Sequence, residues 1–223
     1  MKRYILEVLT KSPTISASGE GFGAVLDTDI VYDDMGLPFI PAKRIKGCLR
    51  DSAQQINEML DQAGIIFPLD HEKTFGVTGS EKSAPVYFSN LTILDYKKIK
   101  KWLEYFMDEN NYEGIVSREK ILKTFTEIRK QTAIGHENIA LKHSLRTTRA
   151  IKKGVKFSGN IYIEEDSTKN NDVCLNTLIL ACYNFRYMGT NRTRGFGEIS
   201  CCLKKNDGTC LQISKELEER CMN

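Results

Sequence analysis

The sequence predicts an α+β fold in which a sheet is backed by helices on one side. Three observations support it: period-two alternation in several short segments, apolar residues at helical spacing between them, and the order of these segments. That order is strand, long loop, helix, strand, helix, irregular basic segment, strand, helix, strand. It matches a split β-α-β arrangement of the ferredoxin type. We expect a single domain over residues 1–223 with an insertion at about 111–153, because the polar, basic stretch from Gly135 to Lys153 has no core of its own.

Four segments are typical of strands. "VKFSGNIYI" at 155–163 alternates apolar and polar residues, and "RYILEVLT" at 3–10 opens the chain in the same way. "APVYFSNLTI" at 84–93 and "GFGEISCCLK" at 195–204 complete the predicted sheet.

Four other segments repeat apolar residues at helical spacing. The longest follows Pro41 and runs through 45–60. The others lie at 99–106, 121–128 and 175–185.

Composition narrows the class of protein. The formal net charge is +3, yet residues 138–163 carry six cations and no acid, and such segregated charge favours a polyanionic partner. No apolar run approaches the ~20 residues of a membrane span, so we expect a soluble, cytoplasmic protein. The seven cysteines are an odd count without a C-x-x-C pair, which favours reduced thiols over disulfides or a zinc site.

An acidic loop stands directly before a basic helix start. Four aspartates fall within eight residues: Asp27, Asp29, Asp33 and Asp34. In an extended segment Asp27 and Asp29 would point to the same side, where one could transfer a proton or hold a hydrated Mg²⁺ beside a phosphate. Solvated loop residues are the alternative, and we expect alanine at Asp33 or Asp34 to leave RNA cleavage intact.

The helix start itself is basic. Its cations are Lys43, Arg44, Lys46 and Arg50. The helix dipole favours acids at this end, so cations are locally unfavourable there unless they bind an anion that the free N–H groups also attract. A phosphate backbone would meet that condition, whereas a solvated basic face is the alternative.

Two glycine-rich segments complete the candidate sites. "GTNRTRGFGEI" at 189–199 places two arginines in a loop whose glycines allow close approach to phosphate, although a plain turn with solvated arginines is possible. "GEGFGA" at 19–24 does not predict dinucleotide binding, because Pro38 and Pro41 lie where the following helix would run. A flexible loop that approaches an RNA backbone suits it better.

Taken in order, these motifs resemble the RAMP superfamily of CRISPR effector subunits. They are the two glycine loops, the aspartate loop, "GLPFIPAKRIKGCLR", "FGVTGSEKSAPVYFSN" and "SLRTTRAIKKGVKFSGNIYI". The similarity is greatest to the small backbone subunit of type III effector complexes, and it covers most of the chain. It implies a ferredoxin-like, RRM-like fold with an inserted thumb hairpin, in a subunit that polymerises along a guide RNA.

The resemblance also implies site residues and partners. The subunit would cut target RNA with the help of Mg²⁺ or another divalent cation. Asp27 would be the catalytic residue, with Asp29 as the alternative, and Asp27 would also be the metal ligand. The partners would be guide RNA, complementary target RNA, other CRISPR effector subunits and copies of the same chain, with no membrane. The expected RNA-binding residues are Lys43, Arg44, Lys46, Arg50, Arg146, Arg149, Lys152, Lys153, Gly189, Asn191, Arg192, Arg194, Gly195 and Gly197.

Two departures from the family pattern bear on these expectations. The usual small "G-S-S" after the proline is replaced by Ala42-Lys43-Arg44, which alters the guide contacts, and the zinc-binding cysteines of some members are missing. A structural subunit without activity remains an alternative. So does a guide-processing endoribonuclease, although the glycine loops contain no histidine for an acid/base pair.

Overall fold

The computed structural model describes residues 1–17, 26–77, 79, 83–108, 115–134, 139, 141–164, 168–213, 215 and 219. Its strands are β1 (Lys2–Thr10), β2 (Phe39–Ile40), β3 (Val86–Phe88), β4 (Leu91–Ile93), β5 (Thr126–Gln131), β6 (Arg146–Ile151), β7 (Lys156–Ile163) and β8 (Ile199–Lys204). Its helices are α1 (Ala42–Gln62), α2 (His71–Phe75), α3 (Tyr96–Asp108), α4 (Arg118–Phe125) and α5 (Thr168–Asn184).

Strands β1 and β7 form the middle of the main sheet. Strand β1 pairs antiparallel with β7, from Lys2 opposite Ile163 onwards, and on its other edge with β8. The strand order is β8-β1-β7-β4-β2, and β3 also pairs with β7. The main sheet and its helices confirm the predicted ferredoxin-like α+β class.

Helices α1 and α5 bury the apolar face of the sheet. Leu6 and Val8 of β1 are fully buried, and so are Leu49 of α1 and Leu178 of α5. Alternation along β1 leaves the intervening residues half-exposed. The two helices are joined by the Ser52 hydroxyl, which donates to the Ala181 carbonyl over 3.0 Å. Among the described residues, no helix is both long enough and apolar enough to cross a bilayer.

A separate two-stranded antiparallel sheet lies between β4 and β7 in the chain. Here β5 pairs with β6, from Thr126 opposite Ile151 to Gln131 opposite Arg146. We call this pair the β5–β6 hairpin. Helices α3 and α4 precede it in the sequence.

Three segments differ from the sequence prediction. The strand expected at 84–93 is two short strands, because Ser89 and Asn90 between them use their side chains to accept hydrogen bonds from the backbones of Asn160 and Ala42. The helix expected at 121–128 ends at Phe125, and the chain continues as β5. The basic stretch that was expected to be irregular contains β6.

The cysteines also depart from expectation at one pair. A disulfide joins Cys202 of β8 to Cys210, eight residues further along. The expectation of reduced thiols throughout is wrong for this pair, whereas Cys48, Cys174, Cys182 and Cys201 are free.

Candidate functional site

Three segments far apart in sequence meet at one end of the β5–β6 hairpin. Ile15, Ala150 of β6 and Phe196 of the glycine loop form a small apolar cluster, separate from the main core. The Thr14 and Ile151 backbones exchange hydrogen bonds of 2.9 and 2.8 Å, and the Gly197 N–H donates to the Pro13 carbonyl over 2.8 Å. The segment after β1 is therefore fixed to both the hairpin and the glycine loop.

The glycine loop at 189–197 is shaped by backbone that only glycine adopts easily. Gly189 and Gly197 have positive φ, and a Cβ on either would collide with the carbonyl oxygen of Ile15 or of Met188. Asn191 and Gly195, both left-handed, flank a single 3₁₀ turn over Arg192–Arg194. Both arginine side chains are exposed, so the turn presents two guanidinium groups on a closely packed base.

A cleft of about 490 Å³ joins this turn to the hairpin. It is lined by Gln131, Thr132, Ala133, Ser144, Arg146 and Arg194. Arg146 begins β6, and Arg194 ends the 3₁₀ turn. No carboxylate of a described residue lines this cleft, which we call the hairpin cleft. Its hydroxyl, amide and guanidinium groups suit phosphate oxygens.

The hairpin holds the first half of the aspartate loop. The Asp27 N–H donates to the Thr147 carbonyl over 2.9 Å, and the Thr147 N–H donates to Asp27 Oδ2 over 2.6 Å. Asp27 nevertheless stays exposed. Its carboxylate is therefore fixed on the surface, beside the strand that begins with Arg146.

Asp29, two residues on, is only 3% exposed. Arg149 Nε lies 3.1 Å from Asp29 Oδ1, and the Ile30 N–H donates to the same oxygen over 2.8 Å. The two aspartates that the sequence places on one side of an extended segment thus have opposite environments. Asp29 is a buried ion-pair partner of β6, while Asp27 faces solvent.

The second half of the loop is held by α3. Asp33 Oδ1 accepts from the backbone N–H groups of Met35 and Leu37 over 3.0 and 2.8 Å, and the Tyr96 hydroxyl donates to Asp33 Oδ2 over 2.8 Å. Burial, followed by this hydrogen bond, raises the pKa of Tyr96. Three donors therefore depend on the Asp33 carboxylate, which gives it a structural role. Its tolerance of alanine in cleavage stays a prediction.

Several predicted RNA-binding cations have partners within the chain. Arg44 donates to the Ser16 hydroxyl over 2.7 Å and also to the Ala17 carbonyl. Lys152 Nζ donates to the Lys123 and Thr124 carbonyls at the end of α4, and Arg149 pairs with Asp29. We assign Arg44, Arg149 and Lys152 structural roles.

The remaining predicted cations reach the surface. Lys43, Arg146, Lys153, Arg192 and Arg194 are exposed, while Lys46 and Arg50 are half-buried, with Arg50 lying 3.9 Å from Asp51. A smaller pocket of about 140 Å³ brings Arg192 beside Cys48 of α1. Burial raises the pKa of the Cys48 thiol, and the Asp51 carboxylate lines the same pocket.

The donor set near Asp27 limits how a divalent cation can bind. Among the described residues no group of three His, Cys, Asp or Glu side chains could hold a metal ion. One exposed carboxylate fits a hydrated Mg²⁺ that is shared with RNA phosphates, since this ion keeps several waters and is usually held by one or two carboxylates plus substrate. The predicted loop at 19–24 lies outside the described residues.

Sequence reasoning did not find Thr147, whose backbone positions Asp27. It acts through its N–H and carbonyl, so its side chain gives no signal. The meeting of Arg146 with Arg194 in one cleft was also missed, because nothing in the spacing of residues 48 positions apart predicts contact.

Strand order, hairpin and cleft define a ferredoxin-like α+β protein that carries an inserted two-stranded sheet beside a basic surface. The chain belongs to the RAMP superfamily, which it matches over residues 7–200. No curated protein matches its sequence.

Two solved structures share the fold. One is a chain of the Type III-B Cmr-beta bound to cognate target RNA, with 11% identity and a TM-score of 0.67 over 91% of this chain and 97% of that one. The other is a chain of the Type III-B Cmr-beta in the apo state, with 12% identity and a TM-score of 0.65 over 92% of this chain and 98% of that one. At such identities the likeness establishes the fold alone.

Proposed function

We propose that this chain is a guide-RNA-binding backbone subunit of a type III CRISPR ribonucleoprotein. We further propose that it cuts complementary target RNA with Asp27 as the catalytic residue. Membership of the RAMP superfamily and the fold shared with Cmr-beta chains, one of them in a complex bound to target RNA, support the first part. The second part depends on one observation. The exposed Asp27 carboxylate is fixed by β6, the strand that supplies Arg146 to the acid-free hairpin cleft.

Two groups of cations bind RNA in this proposal, one in the hairpin cleft and one on the surrounding surface. Arg146 and Arg194 bind phosphate oxygens in the hairpin cleft, and exposed Arg192 and Lys43 extend the basic surface. Guide RNA, target RNA, further subunits and copies of the chain are the partners in this proposal. Contacts to phosphates carry no sequence information, so specificity comes from base pairing between guide and target.

Cleavage proceeds through the RNA's own 2′-hydroxyl. Its oxygen attacks the adjacent phosphorus and the bond to the 5′-oxygen breaks. Solvent water protonates the leaving oxygen, so the products carry a 2′,3′-cyclic phosphate and a 5′-hydroxyl. Asp27 accepts the proton of the attacking hydroxyl, directly or through water, while the Thr147 N–H holds the carboxylate in place. A hydrated Mg²⁺, when bound, neutralises charge on the phosphate.

Asp29 is a weaker candidate for this role. Its carboxylate is buried and paired with Arg149, so a phosphodiester would have to displace that pair in order to reach it. Exposure and anchoring together favour Asp27.

The test is single-turnover cleavage of target RNA by the assembled complex carrying Asp27→Ala. We expect cleavage to fall by about 10²–10⁴-fold, which is typical for the loss of a general base. Target affinity should not weaken, because removal of a negative charge cannot reduce attraction for a polyanion.

Asp34→Ala is the matched control, since this carboxylate is equally part of the acidic loop and forms only a surface ion pair with Lys100. It should cleave normally. Full cleavage by Asp27→Ala would instead support a structural, non-catalytic subunit that binds RNA through the same cleft.

A further inference from the structure

Helix α3 presents an unusual face to solvent. Its half-buried residues Tyr96, Ile99 and Leu103 pack on the main core. Away from this buried side, Trp102 is 55% exposed and Tyr105 is 51% exposed. At roughly 100° per residue, the order around the exposed side is Trp102, Lys98, Tyr105, Lys101, all within an arc of about 100°. Aromatic rings and cations therefore alternate along this face.

The rings of this face support one another. Trp102 meets Tyr105 edge-on at 6.4 Å between centroids, and it stacks with the half-buried Phe106 at 6.0 Å and 25°. Tyr105 also contacts Phe106, at 5.6 Å. The two exposed rings thus contact a third, half-buried ring, and each keeps about half of its surface exposed.

Lys98 and Lys101 on this face differ from Lys100 in their ion pairing. Lys100, on the side nearer the aspartate loop, pairs with Asp34 over 3.3 Å. Lys98 and Lys101 form no ion pair with a described residue, and both are exposed. The acids of α3, Glu104 and Asp108, lie beyond Lys101 on the arc rather than between the two rings.

We propose that this face binds single-stranded RNA, with bases stacked on Trp102 and Tyr105 and phosphates held by Lys98 and Lys101. Successive bases stack readily on exposed aromatic rings when cations track the backbone beside them. A purely apolar partner would bury the two lysine charges beside the rings at a cost, whereas a polyanion complements them. The inference rests on the proposed function for the choice of RNA as ligand, but it uses none of the residues of the hairpin cleft.

The test uses Trp102, the only tryptophan in the chain. Titration of the full chain with a six-nucleotide uridine RNA at low salt should quench its fluorescence, because a stacked base lies against the indole. Lys98→Ala/Lys101→Ala should weaken the binding measured by quenching roughly tenfold, as expected for the loss of two phosphate contacts. Tyr105→Ala should weaken it by about 5- to 150-fold, the range for one lost base stack.

Two control variants separate this site from general charge and from the hairpin cleft. Lys205→Ala/Lys215→Ala removes the same charge from exposed positions elsewhere, and it should leave quenching unchanged. Arg146→Ala/Arg194→Ala should also keep the quenching, even if it abolishes the tighter binding of long RNA. If the proposed function is wrong, Arg146→Ala/Arg194→Ala should bind long RNA as well as the wild type does. The quenching results of the α3 variants do not depend on that outcome.

Three results would overturn the inference. The first is an absence of quenching while RNA binds. The second is quenching that disappears with Arg146 and Arg194 but survives loss of Lys98 and Lys101. The third is self-association that Tyr105→Ala abolishes without changing RNA affinity, which would make this face an interface between copies of the chain.

Discussion

The two halves of the aspartate loop are held by different parts of the molecule. The backbone and Arg149 of β6 fix Asp27 and Asp29, whereas α3 fixes Asp33 and Asp34 through Tyr96 and Lys100. Each half contains one carboxylate whose loss would leave several partners unsatisfied and one that reaches solvent. The four aspartates look alike in the sequence but differ in the structure. Asp29 and Asp33 anchor the loop, whereas Asp27 and Asp34 are exposed in different surroundings.

The largest stability effect should come from Asp29→Ala. Removal of this carboxylate leaves the Arg149 guanidinium in a mostly buried position without its counter-charge, and breaking a buried pair in this way costs about 3–5 kcal/mol. Urea unfolding measures the change, with Asp27→Ala as the control that should cost far less.

The paired variant Asp29→Leu/Arg149→Met should recover much of that loss, because it removes both charges together. A double variant no more stable than Asp29→Ala would show that the ion pair is not the reason Asp29 matters.

Asp33→Ala should have the next largest effect. Three donors lose their acceptor, and we expect a loss of about 2–3 kcal/mol in the free energy of unfolding. Asp33→Asn, which keeps one carbonyl oxygen, should lose less. Asp34→Ala in the same half should leave the urea midpoint unchanged, because surface ion pairs contribute little. Equal midpoints for Asp33→Ala and Asp34→Ala would contradict the assignment of Asp33 as an anchor.

The smallest effect should appear at alkaline pH. Because burial and the hydrogen bond to Asp33 raise the pKa of Tyr96, its contribution to stability is complete below the usual tyrosine pKa of 10.0. That contribution is lost as the pH rises through the raised pKa. Tyr96→Phe should therefore lose less stability than the wild type as the pH rises above about 10, measured as thermal midpoints. Parallel curves for the two proteins would remove Tyr96 as the cause.

The main sheet and the position of the insertion could be predicted from the residues, whereas a hairpin within the insertion was expected only from the resemblance. Strands β1 and β7 alternate cleanly because one face of each is buried against helices. Strand β5 does not alternate, with three consecutive exposed residues, since its sheet has only two strands and little core to cover. Its apolar Ile128 fell at helical spacing with the residues of α4, which extended the expected helix too far.

The candidate site was predictable in its residue types but not in its partners. Glycines and arginines at 189–197 indicated a loop suited to phosphate, and the structure places both arginines on the surface. Nothing in the sequence distinguishes Arg146, which lines the hairpin cleft, from Arg149, which pairs with Asp29 three residues later. That distinction depends on which face of β6 meets the aspartate loop, and only the fold decides it.

The pairing of β1 with β7 and β8 has a consequence for biosynthesis. When β1 leaves the ribosome, Leu6 and Val8 are still exposed to solvent, because the strand that pairs with β1 on one edge begins at Lys156. The other edge of β1 pairs only after Ile199 has emerged. Phe196, which packs on Ile15 beside the hairpin, arrives almost as late. A nascent or truncated chain therefore cannot complete the hairpin cleft, so RNA would bind there only in full-length molecules.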